Sequence, residues 1–385
     1  MRAHGSGGFA LAAYVFFVTM LGTTLPTPLY PLFQQRYGFG DLQVTVIFAV
    51  YALGVIAGLV LFGNLSDQLG RRLPLALGLV LSAAAALLFL FAGSLAPIYA
   101  ARVVSGLSAG IFTGTATAYL VDLSPRGRRF GSLVAVVANL GGLGGGTLLS
   151  GLLAQWAGRP LRLPFAVDLA LVALAALALA AAPETVERHG LRLRPQRLGV
   201  PSEVAGVFFR AATAGFAGFA VSGVFSSVAP VFLGEGLHRH TPALAGVLVF
   251  VLFALSIAGQ LLIGRLREPL AAGCGLLLVG AAVLAVAVGV DSLAALFASA
   301  VVCGLGQGMV VSAGLAAINE RAPAERRGET ASSFFVVLYV GLAVPVVAAG
   351  VAIHYTSIHS AGIGFCAAVA LLSLGVLASE LQARA

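Results

Sequence analysis

The sequence predicts an all-α membrane protein of twelve transmembrane helices, arranged as two six-helix bundles related by internal duplication. Three observations carry this. The 385 residues are 59% hydrophobic and only 9% charged, where a soluble domain holds about 25% charge. Apolar runs of about twenty residues recur from end to end, each long enough as a helix to cross a hydrocarbon core of about 30 Å. A charged, proline-punctuated register in the first half also returns in the second.

The first span covers residues 9–33. Arg2 followed by Phe9 to Val18 imitates a secretory signal, but the apolar stretch continues to Phe33 without a cleavage site, so it reads as an uncleaved span. Spans over 42–62, 73–93, 95–121, 129–155 and 163–182 complete the first bundle, residues 1–182. Residues 183–200 form a polar linker carrying Glu184, Glu187, Arg188, Arg192, Arg194 and Arg197. The second bundle, residues 201–385, has spans over 203–233, 241–263, 269–289, 292–318, 329–353 and 359–379. No polar segment exceeds about twenty residues, too few for a separate catalytic or nucleic-acid-binding domain. Whatever the chain does, it does within the membrane.

All 22 basic residues are arginines, and the net charge is +8. In a soluble protein that excess would point to nucleic acid, but here the arginines cluster in particular loops, a topological pattern. Arg36, Arg159, Arg162 and Arg239 fall on one side, Arg102 and Arg210 lie in or beside spans, and the remaining sixteen fall on the other side together with both termini. Positively charged short loops stay cytoplasmic, so both termini are expected inside. Cys274, Cys303 and Cys366 each sit in an apolar run without a second cysteine at metal or redox spacing and read as small packing residues.

The duplication is read from Val103-Val104-Ser105-Gly106-Leu107-Ser108-Ala109-Gly110, which returns 198 positions later as Val301-Val302-Cys303-Gly304-Leu305-Gly306-Gln307-Gly308. In the same register Asp122 falls on Glu320, Pro125 on Pro323 and Arg128-Arg129 on Arg326-Arg327. Gly58 and Gly63 fall on Gly259 and Gly264. Gly106, Gly110 and Gly114 recur every fourth residue, the spacing that lets helices approach closely. A phosphate-cradling role for these glycines is disfavoured because they lie inside apolar helices with no preceding strand.

Between spans 2 and 3 lies Gly63-Asn64-Leu65-Ser66-Asp67-Gln68-Leu69-Gly70-Arg71-Arg72. Span 4 carries Arg102 before its glycine-rich stretch, and span 5 carries a second glycine-rich run from Asn139 to Leu153 that includes Gly142 and Gly146. Together these resemble the signature motifs of the major facilitator superfamily, with departures at Gln68, where that family usually has Arg, and at Thr147, where its antiporter motif has Pro. The resemblance implies a secondary transporter working by alternating access, with the span-5 glycines pointing to proton-coupled efflux. It also implies a cytoplasmic latch in which Arg71 pairs with Asp122 at the end of span 4 and Asp67 lies near the start of span 11.

Arg102 lies about 10 Å into its span, where an ionised side chain is costly unless it faces water or a partner, or snorkels outward along its stem. Asp168 in span 6 enters from the same side and is the candidate partner; the competing reading is an interfacial carboxylate facing Arg162. Thr23, Thr27, Asn139, Gln307 and Asn319 are polar positions that either line a cavity or bridge helices. Phe216, Phe219 and Phe225 read as packing before substrate stacking. The expected partners are a small lipophilic or amphipathic solute, protons and membrane lipid, with no nucleic acid, no cofactor, no metal and a monomeric state. Facilitative or symport-type uptake is the alternative within the class. A polytopic membrane enzyme is the rival outside it, with His354, His359 and Asp291 as its nearest candidates.

Overall fold

The computed structural model of the chain describes residues 6–186 and 196–382. Arg2, Glu187, Arg188, Arg192, Arg194 and Arg384 lie outside the described residues. Fourteen α-helices and no strand are found among the described residues: α1 Ser6–Thr24, α2 Tyr30–Tyr37, α3 Asp41–Phe62, α4 Leu65–Leu69, α5 Arg72–Leu90, α6 Leu95–Leu123, α7 Arg128–Trp156, α8 Leu163–Ala181, α9 Ala205–Glu235, α10 Pro242–Leu262, α11 Pro269–Gly289, α12 Leu293–Arg321, α13 Arg327–Tyr355 and α14 Ile358–Gln382. They make twelve segments long and apolar enough to cross a membrane.

The ends of most expected spans fall within a few residues of the observed helices, because a spanning helix is set by local hydrophobicity. The first span is the main exception. It breaks after Thr24, passes through a short 3-10 turn at Thr27–Leu29 and resumes as α2. Pro26 and Pro28 lack the N–H groups that would continue the ladder, and the Leu29 N–H turns back to the Pro26 carbonyl at 3.0 Å. Composition alone did not show α4, a single turn and a half inside the loop after α3. Gly70 ends it at φ 83°, a conformation open to glycine and strained for other residues.

The chain forms two compact units. One holds the described residues of Met1–Leu29 and Val50–Arg197, the other those of Tyr30–Ala49 and Leu198–Ala385. Within the first, α6 lies close against α3: a Cβ on Gly106 would strike the Tyr51 carbonyl, and one on Gly110 would come within 2.5 Å of the Val55 carbonyl. Gly54 and Gly58 of α3 face them, with the Gly106 and Gly110 Cα atoms 3.0 Å from the Cβ positions those glycines lack. The same device recurs in the second unit, where Gly304 and Gly308 of α12 lie against the Leu252 and Ser256 carbonyls of α10. The structure limits the stripe in the first half to two residues, since Gly114 faces open space.

In the second unit α9 is buried along almost its whole length, as an apolar helix surrounded by others must be. Elsewhere one face points outward with large apolar side chains: Leu53, Val80, Phe91, Trp156, Leu177 and Leu371 are among the most exposed. A soluble protein would bury or replace such a set. Against lipid tails it costs nothing.

Candidate functional site

The loop after α3 is held as a network. Arg71 Nη1 donates to Asp67 Oδ1 at 2.7 Å, and Arg71 Nε donates to Asp122 Oδ2 at 3.1 Å. Arg71 itself is largely covered, while the Asp67 side chain is 71% exposed. A third carboxylate, which sequence reasoning had left as ordinary linker charge, completes the cluster. Glu184 accepts the backbone N–H of Arg71 at 2.8 Å through Oε1 and that of Arg72 at 3.0 Å through Oε2. It thereby satisfies donors at the start of α5 that helix geometry leaves open. A Cβ on Gly70 would lie 2.6 Å from Glu184 Oε2, so this glycine is needed both for its φ and for that approach. Burial pushes the Glu184 carboxyl up, but the backbone N–H groups of Arg72, Arg71, Thr185 and Val186 outweigh it and hold the group below its ordinary value. The sequence signal for Glu184 was weak: a lone acid just after an apolar run.

Arg102 and Asp168 are both fully buried, at 1% and 2% exposure. The structure does not make them partners. Arg102 Nη1 donates to the Thr23 carbonyl at 2.7 Å, and its guanidinium lies 4.4 Å from the centre of the Tyr51 ring, a cation–π contact. The Thr23 carbonyl is available because α1 ends one residue later, ahead of Pro26. Asp168 lies against Gly22, whose missing Cβ would sit 2.9 Å from Oδ2, and its Oδ1 has no hydrogen-bond partner. The two ionisable groups therefore meet consecutive residues of α1 at the point where that helix stops, Asp168 by packing against Gly22 and Arg102 by a hydrogen bond to Thr23. Snorkelling does not describe Arg102, whose guanidinium turns into the protein, and no ion pair joins Asp168 to Arg162 among the described residues.

Gln307 is buried on α12 and accepts a short hydrogen bond from the Ser256 hydroxyl of α10, and Ser312 donates to Gln260 at 2.9 Å one turn along. These pairs bridge two helices. Asn139 is half-buried on α7. On the same helix Gly142 lies against the Phe17 carbonyl of α1, and Gly146 against the Leu21 carbonyl and the Thr24 hydroxyl. Thr24 in turn donates to the Leu143 carbonyl at 2.6 Å, so the glycine run of α7 seats the last turns of α1. Phe219 meets Tyr339 edge-on, and Phe225 is fully buried, which is packing. Arg210 Nε lies 2.6 Å from Glu380 Oε1 but is not aligned as a hydrogen bond. His359 lies 2.9 Å from Asp291 on an exposed face. No cluster of three or more metal-ligating side chains occurs among the described residues.

A profile described as the Major Facilitator Superfamily matches residues 12–344 and, separately, 211–381. The chain belongs to the major facilitator superfamily. This superfamily member is 28% identical over 124 residues to the quinolone resistance protein NorA of Staphylococcus aureus, covering 31% of this chain and 32% of that one. It is 26% identical over 151 residues to an uncharacterized MFS-type transporter of Methanocaldococcus jannaschii, covering 39% and 38%. The matches therefore span only about a third of those curated relatives. Over nearly its whole length the fold is shared with solved structures. The peptide transporter POT in complex with sulfate superposes with a TM-score of 0.78 at 15% identity, covering 98% of this chain and 94% of that one. The nucleoside transporter NupG gives 0.74 at 11%, covering 97% and 100%. The human organic anion transporter MFSD10 gives 0.68 at 17%, covering 96% and 99%.

Proposed function

We propose that this superfamily member is a secondary active transporter that exports a small lipophilic or amphipathic solute by alternating access, coupled to proton entry. It acts as a monomer in a cell membrane, the plasma or inner membrane of a bacterium, with both termini cytoplasmic and without a cofactor. Its functional halves are residues 1–182 and 201–385, joined by 183–200. The observation that carries the coupling is Asp168: a membrane-buried carboxyl group with an unpartnered oxygen, pressed against α1 where that helix ends. A coupled transporter needs a group that gains and loses a proton, a role that a carboxyl group can serve and an arginine cannot. Arg102 instead fixes the last turn of α1 through Thr23, so a change in the charge of Asp168 bears on a helix end that Arg102 holds in place. The partial similarity to a quinolone resistance protein supports export. The loop network of Asp67, Arg71 and Asp122 supports a latch made in one state and released in another.

The second reading is facilitative or symport-type uptake. Thr147 favours it, standing where the antiporter glycine motif carries Pro. Transport into proteoliposomes with and without an imposed pH gradient separates the readings. Asp168→Asn should abolish gradient-driven accumulation while sparing downhill exchange, whereas Arg102→Ala should impair both. Full gradient-driven transport by Asp168→Asn removes Asp168 from the mechanism.

A further inference from the structure

The seam between α5 and α8 opens on the outer surface of the first unit as a groove of about 560 Å³. Ala76 and Ala83 of α5 and Ala173, Ala176 and Ala180 of α8 alternate along it with leucine and valine, and Arg72 stands at one mouth. On a lipid-facing helix a leucine is as well accommodated as an alanine, since both face hydrocarbon. Small residues on both walls therefore leave a recess where larger side chains would have filled the surface. The lining runs from Arg72 to Ala83 along α5, a rise of about 16 Å. That is close to half of a hydrocarbon core of about 30 Å, the depth of one leaflet. Farther along the same seam the buried rings of Phe89 and Phe165 stack at 4.7 Å, closing the helix pair beyond the groove.

The mouth is chemically distinct from the walls. Arg72 Nη2 donates to the Ala180 carbonyl at 2.9 Å, at the C-terminal end of α8, a contact favoured by the helix dipole. Its guanidinium has five donors, and no ion pair to Arg72 occurs among the described residues. The nearby Glu184 accepts backbone N–H groups of Arg71 and Arg72 and makes no ion pair with the Arg72 guanidinium among the described residues. The seam opens again at its far end as a pocket of about 280 Å³ with Arg159 and Arg162 at its rim, so arginine with no ion pair among the described residues marks both mouths.

We propose that the α5–α8 groove is a binding site for an anionic phospholipid, with one acyl chain lying between the alanine walls and the headgroup phosphate on Arg72. The site does not depend on the transported solute, and its failure would leave the transport reading intact. A bidentate guanidinium–phosphate contact fixes the headgroup, and the leaflet-deep groove selects a chain that a free phosphate lacks.

The test uses the full-length protein incorporated into bilayers of equal parts phosphatidylglycerol and phosphatidylcholine with identical chains, then extracted and its retained lipids counted by native mass spectrometry. Wild type is expected to retain phosphatidylglycerol over phosphatidylcholine by about fivefold, the weight of one arginine at an anionic surface. Arg72→Gln should lose that preference and Arg72→Lys should keep most of it. Ala176→Phe, which fills the groove from an exposed position, should lose retention of both lipids; it carries the test by itself if Arg72→Gln does not fold. Equal retention of the two lipids by wild type, or retention unchanged in Ala176→Phe, overturns the proposal and leaves ordinary annular lipid. Disulfide trapping of dimers through Ala176→Cys also overturns it, in favour of a second copy of the chain as occupant.

Discussion

Arg71 holds two carboxylates at once, and their exposures differ enough to separate what each does. Asp67 is 71% exposed and Asp122 33% exposed, so either pair contributes at most about 1 kcal/mol to stability. Asp67→Asn and Arg71→Ala should therefore leave expression and melting temperature nearly unchanged while shifting the resting population toward inward-open forms. Labelling of cysteines introduced in the cytoplasmic cavity should rise in both variants; unchanged labelling with unchanged transport would sink the latch. Glu184 behaves differently because its partners are backbone groups. Its carboxyl is held below the ordinary value in the fold, so it adds stability above the unfolded-chain value and loses that contribution as the pH falls through the folded value. As the pH falls below the ordinary carboxylate range, the melting temperature of wild type should drop more steeply than that of Glu184→Gln. Parallel curves would show that the caps on Arg71 and Arg72 carry no proton linkage.

At the scale of helices, the contacts that set the first bundle are made by absent side chains. Gly106 and Gly110 let α6 touch the backbone of α3, and Gly142 and Gly146 let α7 touch α1. Gly106→Leu drives a side chain into a backbone carbonyl that cannot rotate away, and should cost at least the roughly 1–3 kcal/mol of ordinary overpacking. Gly114 sits in the same helix at the same spacing but faces open space. Gly114→Ala should be neutral or gain up to about 1 kcal/mol of helix propensity. Folded yield by fluorescence-detected size-exclusion chromatography, together with melting temperature, checks both. A well-folded Gly106→Leu would mean that α6 and α3 can separate without penalty.

For the whole molecule, the arginine distribution makes a topological prediction. On the expected topology sixteen arginines lie on the side of the termini, and Arg36, Arg159, Arg162 and Arg239 on the other. The native cysteines Cys274, Cys303 and Cys366 are buried, so introduced ones can be read against a low background. In intact cells, a membrane-impermeant maleimide should label Arg36→Cys and Arg239→Cys, and should label Arg128→Cys and Arg321→Cys only after permeabilisation. The opposite pattern would invert the orientation and with it the proposed direction of transport.

The sequence by itself determined the number of spans, the ends of all but the first, the repeat and the family signature in the loop after span 2. Each of these is local: a segment crosses lipid because its own residues are apolar, as in 269–289, where the expected span and α11 coincide. It also placed Arg102 and Asp168 inside spans, where an ionisable group calls for a partner or for water. Only the tertiary structure decided what they touch. Pairing them was reasonable on depth alone, but depth says nothing of which way a helix is rotated. The two groups instead meet α1 at Gly22 and Thr23. Glu184 was illegible for the same reason, since its partners lie more than a hundred residues away, at the start of α5. The Gly114 that breaks the stripe was hidden likewise, because spacing puts a glycine on a face and only the neighbouring helix decides whether that face is covered.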